Sequence, residues 1–174
     1  GVFVDDLREK LKDKVSGLIF INSMSFRLFL GNLGLKQVLR SWYMPLLQLP
    51  GLKKIFLSHE AKVKKFIDIY SKRNIAGDLH QGNLASMHLY NGILRAKLKN
   101  VKLGQSKSEV KSLFIFNRED PFIEIPEKSL LEKYYDKPSL RVLNGGHWSY
   151  FDNAPQIHKE IHDFITEHSG NWEK

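Results

Sequence analysis

Two short apolar runs constrain this chain more than any other feature. Residues 15–21 read Val-Ser-Gly-Leu-Ile-Phe-Ile, and residues 110–116 end in Leu-Phe-Ile-Phe. Both are bounded by polar residues and fall short of an ordinary helix. That is how a strand buried on both faces of a parallel sheet reads. A shorter run follows at residues 140–143. Parallel strands need crossover connections, usually helical. The expected class is therefore α/β, a parallel sheet flanked by helices. Three strands make a small sheet of this kind. Buried parallel strands need neighbours on both sides, so part of the sheet is expected to lie outside this sequence.

Helical signals surround these strands. Residues 4–12 place Asp5 and Asp6 in a first turn and Lys10 and Lys12 near the end, the charge order that the helix dipole favours. Residues 127–135 also read as a helix. The last helix opens near Pro155 and spaces Ile157, Ile161, Phe164 and Ile165 for one face. Between the first two strands no β-rich run occurs. Leu28, Leu33, Leu35, Val38 and Leu39 suggest helix broken near Gly31 and Gly34. An amphipathic helix opens at Ser58 and carries Val63, Phe66, Ile67 and Tyr70, and another covers residues 84–98. The expected organisation is a core of residues 1–22 and 108–174, interrupted by an all-helical insert, residues 23–107.

Composition narrows the function classes. With 42% hydrophobic and 26% charged residues, the chain is neither a disordered tail nor a collagen-like repeat. The absence of cysteine removes disulfide scaffolds, Cys-based zinc or iron–sulfur sites and thiol nucleophiles, and accords with a cytoplasmic location. No apolar run approaches the roughly 20 residues of a membrane span, and no signal peptide is recognisable. The net charge of +8 is uneven: residues 22–107 hold 15 Lys/Arg against 3 Asp/Glu. A basic surface can attract nucleic acid or anionic membrane. Here the basic residues are spread out without interleaved aromatics, so no nucleic-acid partner is expected. The charge reads first as a solvated helical face, with membrane-surface contact through the basic insert as the lesser alternative.

Two polar residues lie just beyond predicted strand ends, where open α/β sheets bind ligands. Asp120 follows the second run, and His147 follows the third, after Gly145-Gly146. Each alone has an ordinary explanation, a turn acid before Pro121 and a loop histidine. Together, on neighbouring strand-end loops, they suit an acid that orients an imidazole. His158 and His162 have a metal-compatible spacing, but Lys159 stands where the zinc-protease pattern needs Glu, and they read as a solvated helix face. No metal and no cofactor are expected.

The sequence Asn117-Arg-Glu-Asp-Pro-Phe-Ile123, followed by Asn144-Gly-Gly-His-Trp-Ser149, resembles the C-terminal half of an α/β-hydrolase. The resemblance implies that Asp120 is the triad acid and His147 the triad base. Residues 14–22 resemble the strand before the helical cap, and Gly1 with the first helix resembles the stretch after the nucleophile elbow. Ser41-Trp-Tyr-Met-Pro-Leu-Leu-Gln-Leu-Pro-Gly51 is similar to the cap segment of soluble epoxide hydrolases that carries an oxirane-binding tyrosine, here Tyr43. Ser86-Met-His-Leu-Tyr-Asn91 resembles the segment carrying the second, here Tyr90, although His88, Leu89 and Asn91 depart from the usual residues.

The sequence contains neither a Gly-x-Ser-x-Gly elbow nor a small-x-Asp-x-small equivalent. The resemblance therefore implies a nucleophile upstream of Gly1, and a chain inactive by itself without the rest of the same fold as partner. An Asp nucleophile would make the full protein an epoxide hydrolase acting on a small apolar substrate. A serine would make it an esterase or lipase. A haloalkane dehalogenase would use halide-binding donors, for which Trp42 is available. A non-catalytic binding module is the alternative of a different class.

Overall fold

The computed structural model describes Leu11, residues 14–40 and residues 107–168. Along these residues the order is β1 (Gly17–Ile21), α1 (Phe26–Gly31), α2 (Leu35–Arg40), β2 (Lys111–Asn117), α3 (Lys128–Tyr134), β3 (Ser139–Leu143), α4 (Ser149–Asp152) and α5 (Ala154–His168). The helices expected at residues 4–12, 58–70 and 84–98 lie outside the described residues. The chain divides into two compact units, Gly1–Leu33 with Gln105–Lys174, and Gly34–Gly104. In the first unit the three strands form one parallel sheet in the order β1-β2-β3. Phe20 stands opposite Phe114, and Phe114 opposite Leu140.

Successive strand residues point to opposite faces, and here both faces are apolar. On one face Phe20, Phe114 and Phe116 pack with Leu28 of α1, Leu131 of α3 and Tyr135. Phe20 and Phe114 stack with ring centres 4.6 Å apart, and Tyr135 meets both rings edge-on. On the other face Leu113, Ile115 and Leu143 pack against Ile157 and Phe164 of α5. Burial of a side chain of this size stabilises by about 1.5–3 kcal/mol relative to exposure. This double covering is why the central strand carries no polar alternation.

Residues 15–21 were expected to be buried on both faces, and they are not. In β1 only Phe20 is buried, and Ile19 is 39% exposed. The reason is position. Among the described residues β1 pairs with β2 alone, and the cluster around Ile157 and Phe164 takes in Ile21 but not Ile19. In α5 the apolar stripe holds at Ile157, Ile161 and Phe164, but Ile165 is exposed. At about 100° per residue, Ile165 falls roughly 80° from Ile157, at the border of the stripe.

The break expected near Gly31 and Gly34 separates α1 from α2. Gly31 is needed for a close approach: a Cβ there would lie 3.0 Å from the Tyr134 hydroxyl and 3.1 Å from Leu130. α1 is tied down by polar contacts as well. The Tyr135 hydroxyl donates to Ser25 Oγ at 2.7 Å, Arg27 donates to the Tyr134 carbonyl, and Asn32 donates to the Glu124 carbonyl. Among the described residues no helix is long and apolar enough to cross a membrane.

Candidate active site

The loops leaving β2 and β3 run side by side. Arg118 N–H donates to the Leu143 carbonyl and Glu119 N–H to the Gly145 carbonyl, at 3.0 and 3.1 Å. The first loop turns tightly, with Asp120 N–H donating to Asn117 C=O at 3.2 Å. Pro121 has no N–H, so the next donors are Phe122 and Ile123. Both reach Asp120 Oδ1, at 2.8 and 3.1 Å. This local carboxylate-to-backbone arrangement is what Asp does well in turns. It locks the side chain and leaves Oδ2 for another partner.

That partner is His147. Its Nδ1 lies 2.7 Å from Asp120 Oδ2. The carboxylate is almost wholly buried, whereas the imidazole keeps 22% of its side-chain surface. An ionised carboxylate only accepts, so Nδ1 carries the hydrogen and donates it. The lone pair is then on Nε2, which has no hydrogen-bond partner among the described residues. Phe122 and Trp148 both meet the imidazole edge-on, with ring centres 5.0 and 5.2 Å away. An acid fixed by two backbone donors, and an imidazole fixed by that acid and two rings, can accept a proton at one defined nitrogen. The two residues singled out from the sequence are thus brought together. Tyr43 and Tyr90 lie outside the described residues.

The sequence drew no attention to what holds the histidine loop from behind. Asn22, just past β1, has a left-handed backbone with φ of 41°. Its side-chain amide donates to the His147 carbonyl at 2.8 Å and to Ser149 Oγ at 3.2 Å. Asn117, the last residue of β2, donates to Asn22 Oδ1 at 2.8 Å and also to Ser149 Oγ. Asn22, Asn117 and Ser149 are all buried. Asn117 Oδ1 is buried with no hydrogen-bond partner among the described residues, an arrangement that costs about 1–3 kcal/mol. The only available signal was an Asn at the exit of each of two strands, which turn chemistry alone explains. Gly145 completes the loop with φ of 123°, open to glycine and strained for other residues.

This geometry sits in a recognisable architecture. The crystal structure of an epoxide hydrolase from Bacillus megaterium, in complex with an inhibitor, superposes on 91% of this chain with a TM-score of 0.66. The fold is that of an α/β-hydrolase. Sequence identity over the superposition is 15%, and the chain spans 63% of the length of that enzyme. No family model matches the sequence, and no curated protein matches it either. Among the described residues no group of three or more His, Asp or Glu side chains is placed to hold a metal ion.

Proposed function

We propose that this chain carries the acid–base pair and the lid of an α/β-hydrolase that opens apolar epoxides to diols. The observation that carries the proposal is the 2.7 Å contact between His147 Nδ1 and Asp120 Oδ2, formed at strand-end loops in a fold shared with an epoxide hydrolase. In this reading the lid belongs to the unit Gly34–Gly104, since Leu28 packs in the sheet core, and the nucleophile is an aspartate outside these 174 residues. Its carboxylate attacks a ring carbon as the ring C–O bond breaks, leaving a hydroxyalkyl ester. Tyr43 and Tyr90 donate hydrogen bonds to the developing alkoxide, and one of the two hydroxyls gives up its proton to it, leaving a tyrosinate. Water then attacks the ester carbonyl while His147 Nε2 takes its proton, with Asp120 stabilising the imidazolium. Collapse returns the carboxylate and releases the diol, and the imidazolium proton restores the tyrosine hydroxyl, so water is the only co-reactant. A cytoplasmic location accords with a chain free of cysteine.

The test uses the full-length protein that contains this chain. With His147→Gln, ester formation proceeds but hydrolysis stalls. Intact-protein mass spectrometry after mixing with an aryl epoxide then shows a stable adduct of the epoxide's mass. Adduct formation in the variant together with diol release by the wild-type protein supports the proposal. Neither signal with any of a panel of epoxides overturns it, and an acyl adduct from a carboxylic ester replaces it with an esterase.

A further inference from the structure

We propose that Asn22 is a positioning residue for the base, holding the His147 main chain, and that Asn117 aims it. The inference deepens the functional reading above and rests on it for its kinetic arm. Three observations carry it. First, the donor reaches the base's own residue: Asn22 Nδ2 lies 2.8 Å from the His147 carbonyl, a contact between the ends of β1 and β3 that spans 125 positions. Second, the amide cannot turn over freely. Its Oδ1 accepts from Asn117 Nδ2 at 2.8 Å, which fixes the other face of the group as the donor. Third, the cluster is not arranged to satisfy itself. Asn117 commits its amide hydrogens to Asn22 and Ser149 while its own buried Oδ1 stays unmatched.

The consequence concerns two constraints on one residue. Asp120 fixes the imidazole through Nδ1, and the Glu119 N–H holds the Gly145 carbonyl two residues earlier, but neither removes the freedom of the main chain at His147 itself. Asn22 closes that freedom from the backbone side. Gly145, with φ of 123°, lies two residues before the base, and glycine restricts its own backbone less than any other residue, so a contact at His147 itself adds a constraint that the chain before it does not supply. Misplacement of a catalytic group by about 1 Å can cost on the order of 100-fold in rate.

Asn22→Gly is the discriminating variant, since glycine accepts the left-handed backbone and deletes only the amide. Asn22→Asp is the second variant, of equal size and able to accept from Asn117 but unable to donate to the His147 carbonyl. The first readout is independent of turnover: the Nδ1-bound proton of His147 in the ¹⁵N-histidine-labelled full-length protein, assigned with His147→Gln. It is expected to be sharp in the wild-type protein and broadened by faster exchange with water in whichever variant folds. The second is kinetic: ester hydrolysis slowed about 10- to 100-fold, KM changed less than about twofold, and ester formation unchanged. A wild-type-like Nδ1 proton signal in a folded Asn22 variant overturns the inference, even if the melting temperature drops, because the residue is then only structural. A protein that shows the proton effect but turns over no epoxide sinks the epoxide reading and leaves the positioning role standing.

Discussion

Asp120 divides its carboxylate between two tasks: Oδ1 is held by the N–H groups of Phe122 and Ile123, and Oδ2 meets His147 Nδ1 at 2.7 Å. The acid is therefore fixed by its own loop before it fixes the imidazole.

Asp120→Asn keeps the shape of that arrangement and removes its logic. The amide at the Oδ2 position favours the wrong imidazole tautomer and does not stabilise an imidazolium. Diol release by the full-length protein is expected to fall on the order of 10³- to 10⁴-fold, with the folded state intact by circular dichroism. An effect below tenfold would remove Asp120 from the role proposed for it.

Tyr43→Phe and Tyr90→Phe act on the other half of the reaction. If these hydroxyls stabilise the alkoxide, each substitution slows ester formation, by up to about 10²- to 10³-fold. Hydrolysis of the preformed ester is expected to continue at the wild-type rate. Rapid-quench measurement of the two steps separates the outcomes.

Gly145→Ala tests backbone strain rather than contact. A Cβ at this position would meet Ser149 and Asn117 at ordinary distances, 3.6 and 3.8 Å. The cost comes from φ of 123°, and a destabilisation of about 1–3 kcal/mol is expected by urea unfolding. An unchanged midpoint would show that the loop relaxes without penalty.

Tyr135→Phe deletes the donor to Ser25 Oγ at 2.7 Å and leaves that hydroxyl buried. The aromatic packing against Phe20 and Phe114 survives. A loss of about 1–3 kcal/mol is expected from the unmet polar group, measured by chemical denaturation, without a change in the sheet's spectroscopic signature.

On the exposed face of α5, the hydrogen bond and charge of Lys159 hold the Asp163 carboxyl below its ordinary value, and the same contact raises Lys159. A carboxyl depressed on folding stabilises above its unfolded value, and that contribution is lost as pH falls through the folded one. For the lysine the contribution is present at neutral pH and is lost as pH rises through its raised value. The stability difference between wild-type and Asp163→Asn is therefore expected to be small at pH 7 and absent near pH 2. A difference that persists at pH 2 would assign the effect to packing.

Much of this was readable in advance because it depends on local pattern. The apolar runs gave β1, β2 and β3 to within a few residues, and the strand-end positions of Asp120 and His147 anticipated their meeting. The exposure of Ile19 is not legible in the sequence, because a run of apolar residues does not say which of them a neighbouring element covers. Asn22, Asn117 and Ser149 are not legible in the sequence for a different reason. Their significance lies in amide orientation and in a crossing between strand exits, and an isolated Asn after a strand carries an adequate turn explanation. The departure at Ile165 is a matter of angle along a helix whose stripe is narrower than its run of apolar residues.

The hydrogen bond between Asn22 and His147 closes a loop of 125 positions, whereas Asp120 and His147 are only 27 apart. The entropy of closing a flexible loop grows slowly with its length, at about 0.6 kcal/mol per doubling. A change in the length of the chain between α2 and β2 therefore alters the closure entropy of this contact only slightly. The contact between Asp120 and His147, formed within one short segment, does not depend on that length at all.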